Sequence, residues 1–286
     1  MTQEQNQSQD TRVINGKEIA SRVMQDVKAA LENEKSSPGL AVLLVGNDPA
    51  SESYVGMKIR ACQKVGIQSH AYNFGEQATE AEIIELIKKL NSDNSIHGIL
   101  VQLPLPKHID TNRVCNTITS KKDVDGLTAS TLGNIVNNSE EKLLPCTPRG
   151  IIHILQNINL KLTGINCTIV GASTIVGKPL AMELINRGAT VTICHKDTID
   201  LARHIKHAEL LITAIGKPGV INSDWIQPGC TLIDIGISKI DGKICGDLDF
   251  TTALPKSAKI TPVPGGVGPI TVAMLMKNTL EAFLNR

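Results

Sequence analysis

The stretch NCTIVGASTIVGKPLAMELINRGATVTIC (166–194) decides the fold. NCTIVG (166–171) is a short apolar run ending in glycine, residues 175–187 carry apolar side chains at helical spacing, and TVTIC (190–194) is a second β-prone run. Strand, glycine loop, helix and strand in that order make a βαβ unit, and such a connection demands parallel strands. The rhythm continues through another helix to ELLITAIG (209–216) and TLIDIGI (231–237). Four strands with short helical crossovers predict a doubly wound, Rossmann-type domain.

Toward the amino end the prolines of LPCTPRG (144–150) flank the start of a helix and mark a break. Before it comes a second α/β series. Residues 16–31 have helical spacing, and GLAVLLVG (39–46) is an unbroken apolar run ending in the turn Asn47-Asp48-Pro49, as a buried parallel strand does. A helix follows over 51–67, then QSHAYNF (68–74), a helix from near Thr79 with Glu82 in capping-box position, and GILVQLPLP (98–106). Toward the carboxyl end, PVPGGVGP (262–269) opens an amphipathic helix expected to return to the first lobe. The expectation is an α/β protein of two lobes with a cleft between them: 1–146 completed by the helix 268–286, and a Rossmann-type domain over 147–267.

A chain of 286 residues suits two domains. With 41% hydrophobic and 20% charged residues and a net charge of +1, nothing points to nucleic acid or a membrane surface, so a small-molecule partner is expected. No stretch is long enough to span a bilayer, and the polar start MTQEQNQSQDTR reads as a frayed tail. Seven scattered cysteines, never in a CxxC pair, fit reduced thiols in the cytoplasm. His204 and His207 stand three apart without a further ligand at suitable spacing, so no metal is expected.

VGASTIVGKPLA (170–181) lies between strand and helix, where helix N-terminal N–H groups bind phosphate. Gly171 and Gly177 do not follow GxGxxG, and the run misses the P-loop by one residue and by Pro179 where Ser or Thr would bind magnesium. A nucleotide other than a hydrolysed ATP is the reading, although any strand-to-helix turn uses glycine. The next strand ends in His195-Lys196, and its end should face the adenosine ribose. The basic Lys196 suits a 2′-phosphate, while Asp197 keeps NAD open.

In SESYVGMKIRACQKVGI, Tyr54 and Lys58 are four apart and share a helix face, though a helical lysine is ordinarily a solvated one. Gln102 sits at the carboxyl end of a strand, where ligands collect. KKDVDGL (121–127) places Asp123 and Asp125 before a glycine, which by default is an Asp-Gly turn.

In this order, YVGMK, GILVQLPLP, KDVDG, PCTPRGI, VGASTIVGKP and PVPGGVGPITVAMLMKNT resemble the bifunctional methylenetetrahydrofolate dehydrogenase/methenyltetrahydrofolate cyclohydrolase family from about Val13 to the end of the chain. The resemblance implies a homodimer that uses NADP to oxidise 5,10-methylenetetrahydrofolate and then hydrolyses the product to 10-formyltetrahydrofolate. It implies Lys58 as catalytic lysine, Tyr54 as the ring stacked on the aminobenzoyl portion, Gln102 as support for the lysine and Asp125 as the carboxylate that holds the pterin. It also implies a loop bordering the folate with Pro264, Gly265, Gly266 and Pro269, a nucleotide loop of Gly171, Ala172 and Ser173, and a backbone contact of Ile237 near the nicotinamide. Many members have arginine where this chain has Ala172 and serine where it has Lys196, so recognition of the 2′-phosphate differs here. Rival expectations are a member that retains the dehydrogenase alone and a noncatalytic nucleotide-sensing Rossmann protein.

Overall fold

The computed structural model describes residues 10–139 and 143–285. They fall into two compact units, one of Ser21–Cys146 with the chain from Val272 onward, the other of Thr147–Thr271 with the described residues up to Ala20.

Helix α1 (Gly16–Glu32) is followed by β1 (Gly39–Val45), α2 (Pro49–Val65), β2 (Gln68–Phe74), α3 (Glu80–Ser92), β3 (Gly98–Val101), α4 (Thr111–Asn116) and α5 (Ala129–Val136). The three strands form a parallel sheet of order β2-β1-β3. The central β1 is buried at every position, whereas the edge strand β2 is partly exposed throughout. α3 starts at the capping box read from the sequence: Thr79 Oγ1 accepts from Glu82 N and Glu82 Oε2 accepts from Thr79 N. It lays Ile83, Ile87 and Leu90 against Ala41, Leu43 and Ile99. Each such fully buried aliphatic side chain stabilises by roughly 1.5–3 kcal/mol.

The chain continues through α6 (Cys146–Asn157), β4 (Asn166–Val170), α7 (Gly177–Asn186), β5 (Thr190–Cys194), α8 (Leu201–Ile205), β6 (Leu210–Thr213), β7 (Cys230–Asp234), the hairpin β8 (Ser238–Ile240) and β9 (Lys243–Cys245), α9 (Phe250–Ala253), β10 (Ser257–Ile260) and α10 (Val267–Leu284). The large sheet is parallel, of order β10-β7-β6-β4-β5. The chain leaves β4 for β5 on one side and returns to β6 on the other, so the direction of winding reverses at β4. Ligands collect at the carboxyl ends of strands beside such a switch point.

Three expectations change. The sheet has a fifth strand, β10, which the sequence reading passed over because SAKI is short and carries Ser257 and Lys259. Residues 10–20 group with this unit, whereas the sequence reading placed them in the folate lobe. The reason is backbone pairing at long range: Val13 bridges Ile260 in parallel, Ile14 N donates to Ile260 O at 2.8 Å, and Ile260 N donates to Arg12 O at 2.9 Å. Finally, α10 lacks a solvated face over Ala273–Met276 and Asn278–Leu280, all of which are buried. Among the described residues no helix is long and apolar enough to cross a membrane.

Candidate active site

α2 begins where β1 ends. Asp48 caps it by accepting from Ser51 N at 2.9 Å and Ser51 Oγ at 2.8 Å, Pro49 opens its first turn, and Gly66 in the left-handed region (φ 89°) closes it. This sets the phase that puts Tyr54 and Lys58 on one face, both part-buried. Lys58 Nζ donates to Gln102 Oε1 at 2.9 Å. Gln102 leaves β3 with its backbone N–H on Leu43 O, and its side-chain Nε2 donates to Leu103 O at 2.8 Å. That second bond turns the amide so that its oxygen meets the lysine. Burial pushes the Tyr54 phenol above its ordinary range, so it remains a neutral donor.

The two aspartates of KKDVDGL separate. Asp123 is buried and its carboxylate is spent on its own loop: Oδ1 accepts from Gly126 N and Leu127 N, Oδ2 from Thr128 N and Thr131 Oγ1, at 2.7–3.1 Å. Among the described residues Asp125 accepts from no backbone N–H. Burial pushes its carboxyl up; the charge of Lys58 and a hydrogen bond from Cys146 pull it back, and Asp123 opposes them. Lys58, Gln102 and Asp125 therefore share one electrostatic neighbourhood. Two glycines hold the loop in place. A Cβ at Gly98 would lie 2.8 Å from Val124 Cγ1, and one at Gly126 (φ 74°) would lie 2.5 Å from Pro145 N.

In the other unit Gly171 (φ 131°) follows β4, and a Cβ there would fall on Ala214 O; one at Gly177 would fall on Gly171 O. Only glycine allows the loop to lie this close to both the sheet and α7. Ser173 ties the loop to that helix: its Oγ accepts from Val176 N at 3.1 Å and its carbonyl from Lys178 N at 3.0 Å. The expected helix start at 175 therefore moves to Gly177, leaving Ala172–Val176 as loop. Gly171 N donates to Cys194 O at 2.9 Å, so the end of β5 is joined to the base of the glycine loop, with the exposed Lys196 two residues on. Ile237 is exposed after β7. Pro264, Gly265, Gly266 and Pro269 belong to this unit, where Gly16 packs so close that a Cβ would fall on Gly266 O. These features fit a dinucleotide: a cradle at a switch point that a side chain would fill, and a cation beside it.

Residues 14–125 match the family described as tetrahydrofolate dehydrogenase/cyclohydrolase, catalytic domain, and residues 145–286 match its NAD(P)-binding domain. This chain belongs to the tetrahydrofolate dehydrogenase/cyclohydrolase family. The bifunctional protein FolD of Nautilia profundicola is 46% identical over 277 residues, 96% of this chain and 97% of that protein. The crystal structure of the bifunctional FolD of Campylobacter jejuni is 43% identical over 96% of this chain and 99% of that one, with a TM-score of 0.94. The Trypanosoma brucei enzyme, solved with NADP cofactor and inhibitor, is 32% identical over 96% of this chain and 97% of that one, with a TM-score of 0.91. Tetrahydrofolate dehydrogenase and cyclohydrolase activities, on the α/β frame expected from the sequence, are the two functions of this chain in one-carbon metabolism.

The sequence reading missed a buried amide that ties down the backbone next to Asp125. Asn278 is fully buried on α10 and its Nδ2 donates to Val124 O at 2.7 Å, directly before Asp125, and to Leu144 O at 2.9 Å, two residues before Cys146. The signal was present in AMLMKNTL: an amide in an apolar helix must find partners when buried. Asp234 and Asp247, both buried at the carboxyl end of the large sheet, were likewise overlooked.

Proposed function

We propose that Lys58 moves the protons of the cyclohydrolase step, with Gln102 orienting its amine and Tyr54 providing the platform beside it. The observation that carries this reading is the Lys58 Nζ to Gln102 Oε1 hydrogen bond, set one turn from Tyr54 and within the electrostatic reach of Asp125. Ring opening requires a proton to leave the attacking water and another to reach a ring nitrogen. A positioned amine accelerates such transfers by about 10²–10⁴-fold. Asp125 accepts the adjacent N–H donors of the pterin. Its lone pairs are spared from the loop because Asp123 has taken that task.

The cofactor of the dehydrogenase is NADP, whose nicotinamide takes the hydride from the methylene carbon when bound. Gly171, Ala172 and Ser173 would hold its phosphates, Lys196 would take the 2′-phosphate in place of an arginine at position 172, and the backbone at Ile237 would contact the nicotinamide portion. Aligning two bound molecules can supply roughly 7–11 kcal/mol of the barrier reduction. The exposed Ile240 and Ile244 on the β8–β9 hairpin support a homodimer, and seven unbridged thiols, six of them buried, support a cytoplasmic setting. Incubation with 5,10-methylenetetrahydrofolate and NADP should show methenyltetrahydrofolate rising and then decaying. A Lys58→Met variant should form it and hydrolyse it no faster than buffer; hydrolysis at the parental rate would remove Lys58 from the mechanism.

A further inference from the structure

We propose that Asp234 and Asp247 form a reciprocal lock that positions the nicotinamide half of the cofactor site, a role that rests on the reading that this sheet's carboxyl edge holds NADP. The glycine loop follows β4 and Lys196 follows β5, so the adenosine half belongs at that end of the sheet. The other half of a dinucleotide then runs past the ends of β6 and β7, where residues 214–217 and 235–238 lie. Asp247, at the turn after β9, reaches the first of these loops: Oδ2 accepts from Ile215 N at 2.7 Å and Oδ1 from Lys217 N at 2.9 Å. Asp234, at the end of β7, holds the second loop and Asp247's own turn. Its Oδ1 accepts from Gly236 N at 3.0 Å and Asp247 N at 3.1 Å, and from Thr213 Oγ1 at 3.0 Å; Oδ2 accepts from Leu248 N at 2.9 Å.

The lock is reciprocal in its glycines as well. A Cβ at Gly236 would fall on the Asp247 carboxylate, and one at Gly246 would fall on that of Asp234. Ser238 Oγ adds a direct tie between the loops by donating to Gly216 O at 3.0 Å. Both carboxylates are almost wholly buried, 3% and 1% exposed, and they repel one another. Two adjacent buried acids are a costly way to close loops, and the gain is that two loops distant in sequence are fixed before a ligand arrives.

The test is Asp247→Asn, in which one oxygen that now accepts an N–H becomes a donor. Calorimetric titration with NADP and with 2′-phospho-ADP-ribose, which lacks the nicotinamide, separates the two halves. We expect NADP affinity to fall about tenfold, the worth of a charged hydrogen bond, with the fragment's changed less than about twofold. Amides 215–217 and 236–238 should exchange faster, while cyclohydrolase turnover stays within about twofold. Ser238→Ala, which removes one surface tie, should show the same split at about threefold. Equal weakening of NADP and fragment, unchanged NADP affinity in both variants, or a matching loss of cyclohydrolase would overturn the lock. Failure of the parent protein to bind the fragment would instead overturn the nucleotide reading beneath it.

Discussion

The two aspartate pairs, Asp123/Asp125 in the folate unit and Asp234/Asp247 in the nucleotide unit, spend their oxygens differently. In the nucleotide unit both carboxylates are consumed by loop N–H groups, so the pair is architecture. In the folate unit the first carboxylate takes three N–H donors from its own loop and a hydroxyl from α5, and among the described residues the second takes none from the backbone. A carboxylate with its lone pairs filled builds a site; one with them open is available to a ligand. Lys58 beside Asp125 strengthens the contrast, since the open carboxylate has a cation within electrostatic reach.

The strongest attempt to break this contrast is Lys58→Met. Cyclohydrolase turnover should fall at least about a hundredfold, while NADP affinity by calorimetry is unchanged. Next comes the exchange of roles within KDVDG. Asp123→Ala leaves three N–H groups, two of them buried, and a buried hydroxyl without their acceptor and should cost about 3 kcal/mol or more in urea unfolding. Asp125→Ala should unfold near the parental midpoint yet raise the folate KM about ten- to a hundredfold for both reactions. If Asp123→Ala were stable and Asp125→Ala unfolded, the assignment of builder and binder would be inverted. Because burial raises the Asp125 carboxyl, parental folate affinity should also decline on acidification at a higher pH than an exposed aspartate would produce.

Asp234 allows the contrast to be read as a stability profile. Burial pushes its carboxyl up from 3.8 to about 6, so between those values the folded chain holds more protons than the unfolded chain. Its contribution is therefore full below about pH 4 and lost as pH rises through 6, an amount of about 3 kcal/mol. Urea unfolding of the parent and Asp234→Asn from pH 4 to pH 7 checks this: the parent should lose ground to the variant as pH rises. A flat difference would mean that the two carboxylates are not coupled to folding. The smallest effect belongs to the exposed Lys196. Lys196→Ala should weaken NADP about tenfold and NAD hardly at all, and equal losses for both would place cofactor choice elsewhere.

Much of the architecture could be read from local pattern. GLAVLLV, NCTIV and TLID announce buried parallel strands, and Thr79 with Glu82 announces a helix start, because periodicity and capping act within a few residues. Tyr54 and Lys58 could be paired for the same reason. What stayed hidden involves partners far apart in the chain. SAKI becomes a strand because β7 pairs with it on one side and Val13 on the other. Asn278 and Asp234 look ordinary in sequence because their partners, Val124 O and Leu248 N, lie elsewhere.

The sequence by itself determined the alternation of most strands and helices, the parallel sheets they demand, and the glycine loop over the nucleotide sheet. It also placed a lysine and a tyrosine on one helix face, since that requires only the 3.6-residue turn. Only the tertiary structure decided which aspartate of KDVDG is spent on the loop, that Gln102 presents its oxygen to Lys58, and that Asp234 and Asp247 close on each other's glycines. The physical reason is that a side chain's role depends on how many of its donors and acceptors are already satisfied, and that count is settled by neighbours the fold brings from distant parts of the chain.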